Sequence, residues 1–324
     1  MVSAMKRLLV AIVTVLGITA APALAKTVPT AYIAGYNSGT VTAISTANDE
    51  LVGTIPVGSQ PNAVAATHKH AFVTNVGSQD LSVIDTATNT VTATIPLDSA
   101  PNGVAARGNP VYVTSNSDLE VINAKTDEVI STVDVPGWAL ALNKSGTLLY
   151  DVDRYTDAAL DGVVRVINTS TLQTVASIAT PSEYDPLGIA LNKTRAYVVG
   201  DGGYVIVIDQ ATDKMIGTVS VGESPWGIVA NNKEIYVANR FVPGSEHGSI
   251  SVIDAKTDLV TATLTAGDYP VGMSLTPDGS KLYVAENADN SGPGACQVFS
   301  TATGAVINAL QVGNTPFSVG KFIN

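Results

Sequence analysis

Few side chains in this sequence could carry out acid–base or nucleophilic chemistry. The 324 residues include three histidines and one cysteine, and the G-x-S-x-G, H-E-x-x-H and phosphate-binding glycine motifs do not occur. His247 follows Glu246, and this is the one pair able to exchange protons near neutral pH. A single pair of this kind does not define a reaction, so we assign no catalytic residue from the sequence.

The other histidines and the cysteine have simpler interpretations. His68 and His70 form the motif HKH, which could hold a transition metal, but their place in a short turn favours exposed side chains. Cys296 cannot form an internal disulfide because it is the only cysteine. It stands at an apolar strand position, where we expect a small buried side chain.

Bulky rings form a second group of candidates, suited to binding rather than to reaction. They stand in short proline-containing segments where a minimal turn needs no ring, and both tryptophans of the chain are among them. We expect them either to line a depression that holds a ligand or to pack together and close it. The rings are those of Trp138, Tyr184, Trp226, Tyr269 and Phe317, and Arg240 and His247 complete the predicted ligand-binding set.

Carboxylates could bind a cation near the same rings. Carboxylate, amide and backbone oxygens are the ligands that hard cations such as calcium prefer. The candidate ligands are Asp153, Glu246 and Glu286, although no spacing here matches a known calcium-binding loop. A bound divalent cation is therefore one interpretation of these acids, and simple solvation is the other.

All these candidates depend on a repeat of about 40 residues that must position them. An aromatic-led strand recurs seven times, each time followed by a second apolar strand and later by a proline before a small apolar strand. The leading residues are Tyr32, Phe72, Tyr112, Tyr150, Tyr197, Tyr236 and Tyr283, and the prolines are Pro61, Pro101, Pro136, Pro186, Pro225, Pro270 and Pro316. Three markers that recur together leave little room for chance.

Each repeat contains four strand signals separated by Gly, Asn, Asp, Ser and Thr turns, as in NAVAAT, AFVTN, LSVID and VTATI. A four-stranded sheet cannot bury both faces alone, and a ring of such sheets leaves no open end. The sequence therefore predicts an all-β, seven-bladed β-propeller of four-stranded blades over residues 26–324. Because this segment starts without an innermost strand and ends with one, the C-terminal strand should complete the first blade.

The topology of a blade gathers the longest loops on one rim. The loop after each aromatic-led strand and the proline-containing link between blades meet there, whereas the other two turns lie on the opposite rim. Three loops of the first rim are long, namely DRYTDAALDG, NRFVPGSEHG and ENADNSGPG. Insertions gathered on one face of a repeat protein are typical of a binding face. The candidate rings and acids fall on this rim.

Two pairs of segments resemble a known repeat. FVTN with LSVIDTATNTVTATI, and YVAN with ISVIDAKTDLVTATL, are similar to the YVTN-type β-propeller repeats of exported bacterial and archaeal proteins. The resemblance covers nearly all of residues 26–324, but YDVD, YVVG and YVAE replace the Asn-ended strand in blades four, five and seven. It implies a propeller and leaves the function open, since such proteins include surface proteins, nucleic-acid-binding propellers and relatives of enzymes.

The N-terminal segment predicts the compartment of the protein, and the net charge bears on its partners. Lys6 and Arg7 precede the apolar run LLVAIVTVLGITA, and APALA ends in a small-x-small pattern, so we predict a cleaved signal peptide over residues 1–25. The mature protein would be periplasmic or secreted, with no membrane span. The formal net charge is −11, and the sequence shows no cluster of Lys and Arg. Nucleic acid is therefore disfavoured as a partner.

These features favour recognition over catalysis. We predict an exported, monomeric, non-enzymatic binding protein that recognises a small molecule, a glycan or a partner protein at the rim with the long loops. The alternative is a metal-assisted hydrolase or lyase, similar to a lactonase, at the mouth of the channel. Nucleic-acid binding is a third interpretation that rests on the resemblance alone.

Overall fold

The chain folds into an all-β ring, as the repeat predicts. In the computed structural model, residues 28–154, 162–182, 184–245, 247–287 and 293–324 are described, and the predicted signal peptide lies outside them. The described residues form β-strands β1 to β27, and neighbouring strands within each sheet run antiparallel. No helix in this part of the chain is long and apolar enough to span a membrane.

Seven sheets form the blades. Blade one starts with β1 (Thr30–Gly35), β2 (Thr40–Ser45) and β3 (Glu50–Pro56). Blade two contains β4 (Pro61–Ala66), β5 (His70–Asn75), β6 (Asp80–Asp85) and β7 (Thr90–Pro96). Blade three contains β8 (Pro101–Ala106), β9 (Val111–Ser115), β10 (Leu119–Asn123) and β11 (Glu128–Val133). Blade four contains β12 (Ala139–Leu142), β13 (Leu148–Asp153), β14 (Val163–Asn168) and β15 (Thr174–Ala179).

The last three blades follow the same order. Blade five contains β16 (Pro186–Leu191), β17 (Arg195–Gly200), β18 (Tyr204–Asp209) and β19 (Lys214–Ser220). Blade six contains β20 (Glu223–Ala230), β21 (Glu234–Phe241), β22 (Ser249–Asp254) and β23 (Leu259–Thr265). Blade seven contains β24 (Pro270–Leu275), β25 (Lys281–Glu286), β26 (Pro293–Ser300) and β27 (Val306–Asn314).

Burial falls from the centre of the ring to its edge. In blade two, β4, β5 and β6 are buried almost throughout, because both faces of the sheet pack against neighbouring blades. The outermost strand β7 alternates exposed and less exposed residues in TVTATIP, which suits an edge rich in Thr that meets water. The core therefore lies between blades. Cys296 is buried within it, which confirms the interpretation of this residue as a small buried side chain.

The C-terminal segment completes the first blade and confirms the predicted closure of the ring. The Phe317 amide donates to the Ala34 carbonyl at 3.0 Å, and the Tyr32 amide donates to the Phe322 carbonyl at 2.9 Å. Residues 316–324 thus lie beside β1 in the innermost position, joined to it through isolated bridges. Both ends of the described chain therefore hold the same sheet together.

The aromatic residues that lead the second strands also join neighbouring blades. Their rings are buried, and four of the tyrosine hydroxyls donate to an Asp or Asn in the outer turn of the next blade. The Tyr150 hydroxyl reaches Asp213 at 3.1 Å, and the Tyr32 hydroxyl reaches Asn89 at 2.8 Å. These two acceptors have positive φ angles of 50° and 53°, which Asp and Asn tolerate better than most side chains. The other two pairs are Tyr197 with Asp258 and Tyr283 with Asp49.

Candidate ligand-binding site

The ring has two different faces. We call the long-loop rim the face formed by the links between blades and the turns after the second strands, such as residues 57–60 and 76–79 in blade two. The hairpin rim is the opposite face, formed by the turns after the first and third strands, such as residues 67–69 and 86–89. The sequence predicts that the binding residues lie on the long-loop rim.

Three aromatic rings surround the Arg240 side chain at the long-loop rim. The central guanidinium carbon lies 4.7 Å from the Trp226 ring centroid, 5.6 Å from that of Tyr269 and 5.8 Å from that of Phe241. Phe241 and Tyr269 contact each other edge to face, with centroids 5.1 Å apart. Positions in this range allow favourable cation–π contacts. We call these four residues the Arg240 cluster.

Backbone conformation brings Tyr269 into this cluster. Tyr269 precedes Pro270 and has a φ of +48°, in the left-handed region that bulky residues seldom adopt. Ser224 stands in the corresponding place before Pro225 and also has a φ of +48°. The links that lead into blades six and seven share this conformation, which sets the direction of the side chain before the proline. In blade seven that side chain is an aromatic ring.

The Arg240 guanidinium is partly desolvated and has no carboxylate partner among the described residues. Its Nε atom is buried without a hydrogen-bond partner in the described part of the chain, and Arg240 forms no ion pair there. Burial lowers the pKa of Arg240, and the nearby Tyr269 and Asp201 act in the opposite direction. The group remains a cation at neutral pH because an arginine titrates far above it. Its charge is thus available to an anion.

Blade four has an equivalent Trp–Arg pair, but there the arginine is paired with a carboxylate. Trp138 and Arg154 hold the positions that Trp226 and Arg240 hold in blade six, and the Arg154 guanidinium lies 4.5 Å from the Trp138 ring centroid. Here, however, Asp185 accepts from Arg154 Nε at 2.8 Å and also pairs with its Nη2. The charge of Arg154 is therefore satisfied within the protein.

A line of rings connects the Arg240 cluster to the closing strand. The Trp226 and Phe317 centroids are 6.0 Å apart in an edge-to-face contact, and Phe317 lies 5.8 Å from Tyr36. Trp226 also borders a void of about 30 Å³ at the centre of the channel. The rings therefore pack together and narrow the channel, and whether their accessible surface holds a ligand stays a prediction.

Tyr184 occupies a different environment from the other predicted rings. Its ring is 1% exposed and stacks against Tyr204 with centroids 4.8 Å apart. The Tyr184 hydroxyl lies within hydrogen-bonding distance of the Val198 carbonyl (2.9 Å) and the Tyr204 carbonyl (3.1 Å), and burial raises its pKa. Tyr184 thus packs within a blade instead of facing the rim.

The described acids of the predicted metal set lie in separate blades with partners of their own. Asp153 in blade four pairs with Arg165 at 2.8 Å. Glu286 in blade seven accepts from the Gly267 amide at 2.7 Å. Glu246 lies outside the described residues. Within the described residues, no three His, Cys, Asp or Glu side chains group closely enough to hold a metal ion.

His247 pairs with a different acid from its sequence neighbour. Its Nδ1 atom lies 2.7 Å from an Asp268 carboxylate oxygen, and both side chains are largely exposed. The buried Glu286 lies near this pair, and burial raises the pKa of Glu286 to about 7 while the Gly267 amide and His247 act to lower it. These three side chains lie together at one edge of the long-loop rim.

Sequence reasoning missed a set of basic residues on the hairpin rim. Six of the seven innermost strands have a Lys or Arg at their end or within the next three residues, although these residues stand tens of positions apart in the sequence. They are Lys69, Arg107, Lys144, Lys193, Lys233 and Lys321. Aligning the turns after the seven innermost strands would have revealed the pattern, whereas a search for local clusters could not.

Comparisons with known proteins support the fold and add no function. The sequence matches no protein-family model and no curated protein. The structure is similar to hydrazine synthase from Kuenenia stuttgartiensis, with a TM-score of 0.73 and 18% identity over 84% of this chain and 92% of that chain. It is also similar to a functionally unknown protein from Desulfotomaculum acetoxidans DSM 771, with a TM-score of 0.73 and 16% identity over 91% and 98%. At such identities, the likeness defines a β-propeller only.

Proposed function

We propose that this protein is an exported, non-enzymatic binding protein whose long-loop rim recognises an anionic group on a small molecule, a glycan or a partner protein. The observation that carries the proposal is the Arg240 guanidinium, which lies among three rings without a carboxylate partner in the described part of the chain. A guanidinium can hold a carboxylate or phosphate through two parallel hydrogen bonds. Export, a YVTN-type origin and a monomeric state stay predictions.

The difference between the two Trp–Arg pairs supports this proposal. Asp185 neutralises Arg154, so the pair in blade four has a structural explanation within the protein. Arg240 also lies over a tryptophan, but no acid among the described residues pairs with it. Trp and Arg are also the residues that most often dominate the binding energy of recognition surfaces.

The metal-assisted alternative has less support from the positions of the acids. Asp153 is engaged by Arg165, and Glu286 occupies the place that Asn239 holds in blade six. Each described acid of the set therefore has a structural role in its own blade. We accordingly favour recognition over hydrolysis.

A single-tryptophan variant tests the proposal directly. In Trp138→Phe, Trp226 is the only tryptophan, so its fluorescence reports on the Arg240 cluster. We expect benzoate and inorganic phosphate, titrated separately, to change this fluorescence to saturation with at least one of them. Adding Arg240→Gln should abolish the response, because the neutral amide cannot replace the charge or the forked donors.

The reciprocal variant provides a matched control. Trp226→Phe leaves Trp138 beside an arginine already paired with Asp185, and we expect its fluorescence to change little with either anion. A folded Trp138→Phe protein that responds to neither probe would show the proposal to be wrong. So would a response that survives Arg240→Gln.

A further inference from the structure

A second concave site lies on the hairpin rim, away from the Arg240 cluster. A cavity of about 910 Å³ opens there at the centre of the ring. Its volume is within the range of pockets that hold small molecules. Its wall is formed largely by the innermost strands and is aliphatic, with Val104, Leu140, Ile189, Ile228 and Met273 among the lining residues.

The inner end of this cavity is narrow because the innermost strands approach each other closely. A Cβ atom on Gly227 would lie 2.1 Å from the Val271 carbonyl oxygen, and one on Gly272 would lie 2.3 Å from the Ser318 carbonyl oxygen. Only glycine permits such contacts between backbones. Beyond this level, the small void beside Trp226 leads towards the long-loop rim. The cavity is thus a cup with an apolar wall and one wide mouth.

Positive charge is placed at the mouth of the cup. Arg107, Lys233 and Lys321 line it, and none of them forms an ion pair within the described residues. The Lys321 side chain is exposed to solvent in the cup, yet the surrounding protein and the charge of Arg107 lower its pKa. Two cations thus lie close to each other in a protein whose formal net charge is −11.

The acids that line the mouth already have hydrogen-bond partners. Glu234 accepts from the Tyr236 hydroxyl at 2.5 Å. Asp278 accepts from the Thr276 hydroxyl at 2.6 Å and from the Ser280 hydroxyl and amide, which hold it in its own turn. Both acids are thus engaged by neighbouring residues, and neither forms an ion pair with Arg107 or Lys321, which line the cup.

We propose that this cup binds an aliphatic carboxylate, with the hydrocarbon tail against the apolar wall and the carboxylate beside Arg107 and Lys321. An apolar ligand would fit the wall but would leave the repulsion between the two cations unrelieved. A small anion would relieve the repulsion but would bury no apolar surface. An amphipathic anion satisfies both parts of the site.

Calorimetric titration of the mature protein with octanoate, decanoate and dodecanoate tests this assignment. We expect one site whose affinity rises about fourfold for each added methylene, until the cup is filled; binding of a carboxylate at Arg240 should not depend on chain length in this way. Acetate and octan-1-ol should bind much more weakly than octanoate, because each lacks one half of the ligand.

Two double variants with the same change of net charge distinguish the contribution of the cations at the mouth from that of other cations on the hairpin rim. Arg107→Gln with Lys321→Gln should weaken decanoate binding by about tenfold or more. Lys144→Gln with Lys193→Gln, on the same rim but outside the lining, should change it less than about twofold. Arg240→Gln should leave it unchanged, which keeps this site distinct from that of the proposed function.

Several outcomes would overturn the assignment. These are the absence of saturable binding by any of the three carboxylates, octan-1-ol binding as tightly as octanoate, and an equal loss in both double variants. Binding of a short oligothymidylate with strong salt dependence, in a protein that ignores the carboxylates, would instead show that the basic residues contact a polyanion.

Discussion

At the scale of single residues, Glu286 occupies a position that asparagine holds in other blades. The equivalent residues in blades two and six are Asn75 and Asn239, whose side-chain amides donate to side chains of the next strand, β6 or β22. The Asn239 side-chain oxygen accepts from the Gly222 amide at 3.1 Å, and Glu286 accepts from the Gly267 amide at 2.7 Å in the same way. A protonated carboxyl group resembles a side-chain amide in carrying a donor group beside an acceptor oxygen. Glu286 therefore takes over a structural position, and its raised pKa follows from that burial.

This position predicts how stability depends on pH. The pKa of Glu286 is about 7 in the folded protein, compared with an ordinary value of 4.5, so the folded state holds more protons between these values. Stability should therefore fall as the pH rises from about 5 to 8, by roughly 3 kcal/mol from this carboxyl alone. Glu286→Gln should remove that part of the fall and raise the melting temperature at pH 8.

Thermal unfolding at several pH values between 5 and 8 checks this prediction. Glu128→Gln, at an exposed position on an outer strand, is the matched control and should leave the curve unchanged. The buried Glu120 also has a pKa raised to about 7 by desolvation, so some pH dependence should persist in Glu286→Gln. A variant whose curve is the same as that of the parent protein would contradict the assignment.

At the scale of elements, the contact between a tyrosine and the next blade explains why the repeat begins with an aromatic residue. A ring at this position fills the space between two sheets, and its hydroxyl reaches a turn residue that must also adopt a positive φ. The leading aromatic residue and the Asp or Asn of the outer turn thus both belong to the interface between neighbouring blades. Phe72 keeps only the packing, because phenylalanine has no hydroxyl.

Removing one tyrosine hydroxyl measures how much its hydrogen bond to the next blade contributes to stability. Tyr150→Phe deletes the hydrogen bond to Asp213 and should lower the free energy of unfolding by about 1 kcal/mol, as for other hydrogen bonds that are lost without change of shape. Tyr36→Phe is the control, because the Tyr36 ring packs against Phe317 while its hydroxyl forms no hydrogen bond within the described residues. Chemical denaturation compares the two variants, and equal losses would show that the contact between blades contributes nothing.

At the scale of the whole molecule, the ring depends on its last strand. Residues 316–324 supply hydrogen bonds to β1, and Ser318 accepts from the Ala34 amide within the core. Ile323 and Phe322 are buried in the cluster that joins blades one, two and seven. The C-terminal strand therefore contributes to the packing of the ring as well as to its closure.

Truncation tests this dependence. A chain that ends at Thr315 leaves the inner edge of β1 unpaired and exposes apolar surface, so we expect a large drop in melting temperature or a loss of the cooperative transition. Ser318→Ala, which removes one buried hydrogen bond, should cause a much smaller drop of about 1 kcal/mol in stability. A truncated protein with an unchanged melting temperature would contradict the role assigned to the closing strand.

The sequence by itself determined the strands, the number of blades and the closure of the ring. These follow from local signals, because alternating side chains, turn residues and a repeat of about 40 residues each act over short distances. The sequence also placed Trp226, Arg240 and Tyr269 on one rim, because the order of strands in a blade decides which turns share a face.

Only the tertiary structure decided which of the charged side chains are free to bind a ligand and which are paired within the protein. Arg154 and Arg240 look alike in the sequence, and the difference between them depends on whether an acid from the next blade reaches the guanidinium. Arg107 and Lys321 stand more than 200 positions apart, yet both line the same cup. Such pairings arise when the ring closes, since the distance between side chains on different blades depends on how the sheets pack and not on local sequence.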